Sequence, residues 1–92
     1  MSYHLKLKTG FFKKEPIKLR INYDNIIIEH KSDKSIVINE DDILHINIIK
    51  NHQIHELNIF TITDNYVFCL NKAHQNEIYL RLLKLFHDKF EL

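Results

Sequence analysis

The residues best placed to do chemistry are four cations near the N-terminus. Lys13 and Lys14 precede Glu15-Pro16-Ile17, and Lys18 and Arg20 follow it with only Leu19 between them. Alternate residues of a strand share a face, so Lys18 and Arg20 project together while Ile17, Leu19 and Ile21 turn to the other side. Four such groups on one hairpin can hold a phosphate or lie against an anionic surface, at about 1 kcal/mol each, weakened by salt. The same charges also have a plainer use, because Lys and Arg on a strand discourage edge-to-edge pairing. Phe11 and Phe12 stand beside them, directly after the single glycine, Gly10. Two adjacent rings cannot both face inward from a regular strand, and a bulge at Gly10 would re-aim one toward a partner or an interface.

The remaining reactive residues form no working set. His52 and His55 are three apart, with His45 and His30 nearby. Strand residues three apart face opposite sides, and no third ligand stands at a fixed offset, so no metal site is expected. Glu40-Asp41-Asp42 are contiguous, which suits a turn, whereas acid–base work needs groups that reach one substrate. Cys69 sits in an apolar stretch, where a thiol is usually a small buried hydrophobe. Ser2, Ser32 and Ser35 lie at a terminus or a turn without a nucleophile elbow. The expectation is a chain that is not an enzyme and needs no cofactor or metal.

Composition bounds the rest. Ninety-two residues make one domain, 1–92, burying about 64% of its unfolded surface. With 45% hydrophobic and 27% charged residues it should fold. Thirteen basic against twelve acidic residues give a net charge of +1, which excludes nucleic-acid binding through bulk charge. Aromatic stacking platforms flanked by arginines are also missing. The near-zero total hides an asymmetry: residues 1–20 hold six basic side chains and one acid, so they carry +5 and the remainder −4. The lone cysteine excludes an intrachain disulfide and fits a reducing interior. No run approaches the roughly 20 apolar residues of a membrane helix, and no apolar signal segment follows Lys6 and Lys8. A soluble cytoplasmic protein is expected. The wealth of Ile, Asn and Lys, whose codons are AT-rich, suggests a bacterial or phage genome.

Behind the candidate residues, most of the chain alternates at period two and reads as short strands. Tyr3, Leu5 and Leu7 share one face, and Ile17, Leu19, Ile21 and Tyr23 another. Asp24-Asn25 reads as a hairpin turn of residues that tolerate positive φ, and Ser32-Asp33-Lys34 as a second turn. Ile26 to Ile28 and Ile36 to Ile38 are short strands. A fifth strand places Leu44, Ile46 and Ile48 inward. In the sixth, Ile54 to Ile62, Leu57 and Ile59 compete with Phe60 and Ile62 for the inside. Tyr66, Phe68 and Leu70 point inward on the seventh. The period then becomes 3.6. Asn71 is a candidate N-cap for a helix over about 72–90, with Ile78, Leu82, Leu85 and Phe86 in its apolar stripe and Leu80 as the one misfit.

Seven short antiparallel strands followed by one amphipathic C-terminal helix resemble the pleckstrin-homology-like superfold, including its GRAM and bacterial branches. Ile36-Val37-Ile38 before Asp41-Asp42-Ile43 is similar to its crossing between sheets. Leu57 to Thr61 with Tyr66-Val67-Phe68 are similar to its last strands. The resemblance implies a mainly β fold with one helix: a partly open barrel of two antiparallel sheets, of four and three strands, capped by the helix. Lys14 with Lys18-Leu19-Arg20 is also similar to the pattern that clamps headgroup phosphates in lipid-binding members, although the loop here is shorter.

These readings lead first to a non-enzymatic binding or assembly module that works through protein contacts, including self-association, with Phe11 and Phe12 as an interaction surface. The alternative is a peripheral module that binds anionic lipid or a phosphorylated ligand weakly through Lys13, Lys14, Lys18 and Arg20.

Overall fold

The computed structural model describes residues 2–10, 13–50 and 55–90. Phe11, Phe12 and His52 lie outside the described residues. Seven strands run in chain order: β1 Ser2–Lys8, β2 Lys14–Ile21, β3 Asn25–His30, β4 Ser35–Asn39, β5 Ile43–Lys50, β6 His55–Thr61 and β7 Asn65–Cys69. A 3-10 turn at Glu40–Asp42 links β4 to β5, and the helix α1, Gln75–Phe86, is followed by a second 3-10 turn at His87–Lys89.

Every named strand pair is antiparallel, and the order across the sheet is β4-β3-β2-β1-β7-β6-β5. The expected four-strand and three-strand halves are both present. They are joined into one sheet through β1 and β7, where only Lys6↔Cys69 and Leu7↔Phe68 pair. An ion pair between Lys8 on β1 and Glu56 on β6 also spans this narrow join. The sheet does not close, and β4 and β5 are its edges.

Alternation builds the core as the sequence implies. Tyr3, Leu5 and Leu7 of β1, and Ile17, Leu19 and Ile21 of β2, are buried with Ile26, Ile28, Leu57, Ile59 and Phe68. The phase of β6 is settled in favour of Leu57 and Ile59, while Ile62 is exposed. Two inward assignments are corrected. Tyr23 is exposed because the β2–β3 turn comes one residue earlier than expected: Asn22 N–H bonds the Asn25 carbonyl at 2.9 Å, so Tyr23-Asp24 is the turn itself. No positive φ is used there; among the described residues only Asp33 (φ 65°) has one outside glycine. Leu44 is exposed because the β5–β6 register shifts between Ile43 and His45, which turns Ile43 inward and Leu44 outward.

The helix is shorter than expected. Asn71 Oδ1 accepts the His74 N–H at 3.0 Å and so closes a turn ahead of α1 instead of capping it. At the other end Phe86 leaves helical geometry (φ −131°, ψ 37°). Ile78, Leu82 and Phe86 are fully buried against the sheet, and Leu80 is exposed. Phe90 is extended, forms a bridge to Ile46 on β5, and sets its ring edge-on to Tyr79 at 5.7 Å between centroids.

Candidate functional site

The β1–β2 register decides which cations meet. Ser2 lies opposite Arg20, His4 opposite Lys18, Lys6 opposite Pro16 and Lys8 opposite Lys14. Since Tyr3, Leu5, Leu7, Ile17, Leu19 and Ile21 are core, all of these even positions share the outer face. The sequence therefore lays a basic stripe on one hairpin, with His beside Lys and Lys beside Lys. Like charges directly opposite are destabilising, so fold stability does not explain the stripe.

Acidic residues neutralise its two ends. Arg20 Nη2 is 3.1 Å from Glu29 Oε1 on β3. Lys8 is held by Glu56, whose hydrogen bond raises the pKa of the lysine ammonium. Glu29 also stands opposite Lys18 in register, but the ion pair within 4 Å is with Arg20. His30 Nδ1 and Glu15 Oε1 are 2.9 Å apart, an arrangement in which an Nδ1–H donates to the carboxylate.

Between these pairs lies a groove of about 530 Å³ on the outer face where β1, β2, the end of β3 and the end of β7 meet. His4, Lys6 and Lys18 come from the hairpin, and Lys31 comes from the β3–β4 turn. Pro16, Leu5, Ile17 and Leu70 give it an apolar floor, and Glu29, His30, Cys69 and Asn71 complete the wall. Among the described residues, Lys6, Lys18 and Lys31 are in no ion pair. Three lysines and a histidine around an apolar floor can take a phosphate or carboxylate, with room for a small uncharged body beside it.

Of the four basic residues singled out in the sequence, only Lys18 lines this groove. Arg20 is tied to Glu29, and Lys13 and Lys14 are exposed outside the groove. His4, Lys6 and Lys31 escaped the sequence reading. Lys6 was visible as an outward residue of β1, but its meeting with Lys18 and Lys31 depends on two strand registers. Among the described histidines, His4 and His30 both border the groove, His30 is paired with Glu15, and His45 stacks on Phe60 at 4.2 Å. Among the described residues, no group of three or more metal-ligating side chains exists.

No family model matches the chain, and no curated protein matches it. Solved structures do. The C-terminal domain of an unknown protein from Leishmania infantum superposes with a TM-score of 0.77 at 16% identity, over 95% of this chain and 82% of that one. The N-terminal PH domain of the human ARAP2 protein superposes with a TM-score of 0.75 at 13% identity, over 96% of this chain and 79% of that one. The fold is therefore pleckstrin-homology-like: mainly β, seven antiparallel strands in one unclosed sheet, and one C-terminal helix.

Proposed function

We propose that this chain is a non-enzymatic binding module of the cytoplasm whose site is the cationic groove and whose ligand carries a phosphate or similar anion, as a lipid headgroup or a free molecule. The observation that supports it most is the division of labour among the cations: Arg20 and Lys8 have acidic partners, while Lys6, Lys18 and Lys31 face one groove with no ion pair among the described residues. The lone cysteine favours a reducing setting. Among the described residues no helix is long and apolar enough to cross a membrane.

Sedimentation with phosphatidylserine vesicles tests this reading. Three lysines at about 1 kcal/mol each imply that Lys6→Glu, Lys18→Glu and Lys31→Glu together lower partitioning by roughly 100-fold or more. Lys13→Glu with Lys14→Glu should do far less, and binding should weaken between low and near-physiological salt. Competition by inorganic pyrophosphate would assign the groove to the phosphate itself. Binding that ignores salt and survives the triple reversal contradicts the assignment.

A second reading, association with protein through a sheet edge, is supported by a different observation: the sheet does not close, so β4 and β5 end it.

A further inference from the structure

The two edges of the sheet are not equivalent. β5 is guarded: its register is broken at Ile43/His45, Phe90 bridges to Ile46, and Lys50 ends it. β4, Ser-Ile-Val-Ile-Asn over Ser35–Asn39, has no proline, no charge and no bulge, and Val37 at its centre is 53% exposed. An edge of this kind is a template for another strand.

The backbone fixes what β4 offers. His30 N–H donates to the Lys34 carbonyl at 2.8 Å, and Glu40 N–H donates to the Asp24 carbonyl at 3.0 Å. With Ile28↔Ile36 and Ile26↔Ile38 in register, the Lys34 carbonyl, the backbone groups of Ile36 and Ile38, and the Glu40 N–H point at β3. Antiparallel alternation then turns the N–H and C=O of Ser35, Val37 and Asn39 to the open side.

We infer that β4 pairs antiparallel with β4 of a second copy of this chain, centred on Val37. In that register Val37 meets Val37, Ser35 meets Asn39, Ile36 meets Ile38, and Lys34 meets Glu40. Each outward-pointing residue opposes an outward-pointing residue, so each such pair exchanges two hydrogen bonds. The apolar residues oppose apolar residues on both faces. The charges at the ends are complementary: Lys34 of each copy meets Glu40 of the other, an isologous two-fold contact. Tyr23, 82% exposed, sits in the turn that abuts the Glu40 end of β4 and adds apolar surface there. Seven paired residues on each copy, five of them in β4, make less than a standard interface, so the dimer is weak and concentration-dependent.

The inference rests on the edge reading and is independent of the groove. It has a functional consequence. A two-fold axis perpendicular to the sheet keeps both outer faces on one side, so the dimer presents two cationic grooves in the same direction. A weak single-site affinity then becomes avidity on a surface.

The experiment is sedimentation equilibrium of the full chain over a wide concentration range. The parent should show a reversible monomer–dimer equilibrium. Val37→Lys should abolish it, because two lysines would face each other at the axis. Lys34→Glu and Glu40→Lys should each weaken the dimer, roughly 3- to 10-fold, and the double exchange should restore it. Circular dichroism melts identical to the parent's would show that the exposed substitutions leave the fold intact. Restoration by the double exchange would also fix the register. A dimer that persists in Val37→Lys overturns the β4 assignment while leaving self-association through another surface. A parent that stays monomeric throughout overturns both.

Discussion

Tyr3 shows how one buried polar atom sets a pH limit. Its ring is 3% exposed in the core and lies 5.7 Å from the His74 ring. Burial is the main reason its phenol pKa is raised above 10.0, and the half-buried Tyr66 is shifted the same way, again by burial. A raised folded-state pKa means that the folded chain holds its proton while the unfolded chain releases it near pH 10. The stabilising contribution is therefore full below about pH 10 and declines as pH rises through the folded-state pKa. Tyr3→Phe should flatten the alkaline loss of stability, measured by denaturant titration at pH 9, 10 and 11; an unchanged alkaline slope would remove Tyr3 from the explanation. Single residues also mark what the sequence could show. Asp is a residue type that suits turns, but its presence does not place them. Asp33 takes a positive φ of 65°, whereas the expected positive φ at Asp24-Asn25 is absent, because paired Asn22 and Asn25 close the turn over Tyr23-Asp24 with ordinary backbone angles. Side-chain type licenses a turn, whereas the hydrogen bonds across it fix its position.

Among the elements, α1 makes the sharpest prediction. Ile78, Leu82 and Phe86 are spaced to fall on one side of the helix and are fully buried, whereas Leu80 looks outward. Leu82→Ala should cost about 2–5 kcal/mol in chemical denaturation, and Leu80→Ala about 0.5 kcal/mol or less. Equal effects would mean that the helix is rotated from its described face. The apolar stripe was legible because a period of 3.6 recurs over three turns, and so was the alternation of β1, β2 and β7. The ends were not. Asn71 has the chemistry of a cap but serves the preceding turn. Leu44 has the phase of an inward residue until the shift at Ile43/His45 inverts it. Bulges and caps are decided by the neighbouring strand or turn, which local periodicity does not contain.

At the scale of the whole molecule, the candidate site is a product of pairing. Lys6, Lys18 and Lys31 are separated in sequence by twelve or more residues and meet only because β1–β2 and β2–β3 pair in their particular registers. A linear reading could see the basic N-terminal stretch but not that Glu29 would engage Arg20, nor that Lys13 and Lys14 would stand outside the groove. The superfold itself was readable from element order, since seven strands and a terminal helix constrain how one small core can be covered. On the proposed reading the groove, and not the hairpin tip, takes the anion. Amide chemical-shift mapping of the labelled full chain titrated with inorganic pyrophosphate tests it most directly. Saturable shifts clustered at His4, Lys6, Lys18 and Lys31, reduced by Lys18→Glu, are expected. Shifts confined to Lys13 and Lys14, or none at millimolar pyrophosphate, would contradict it.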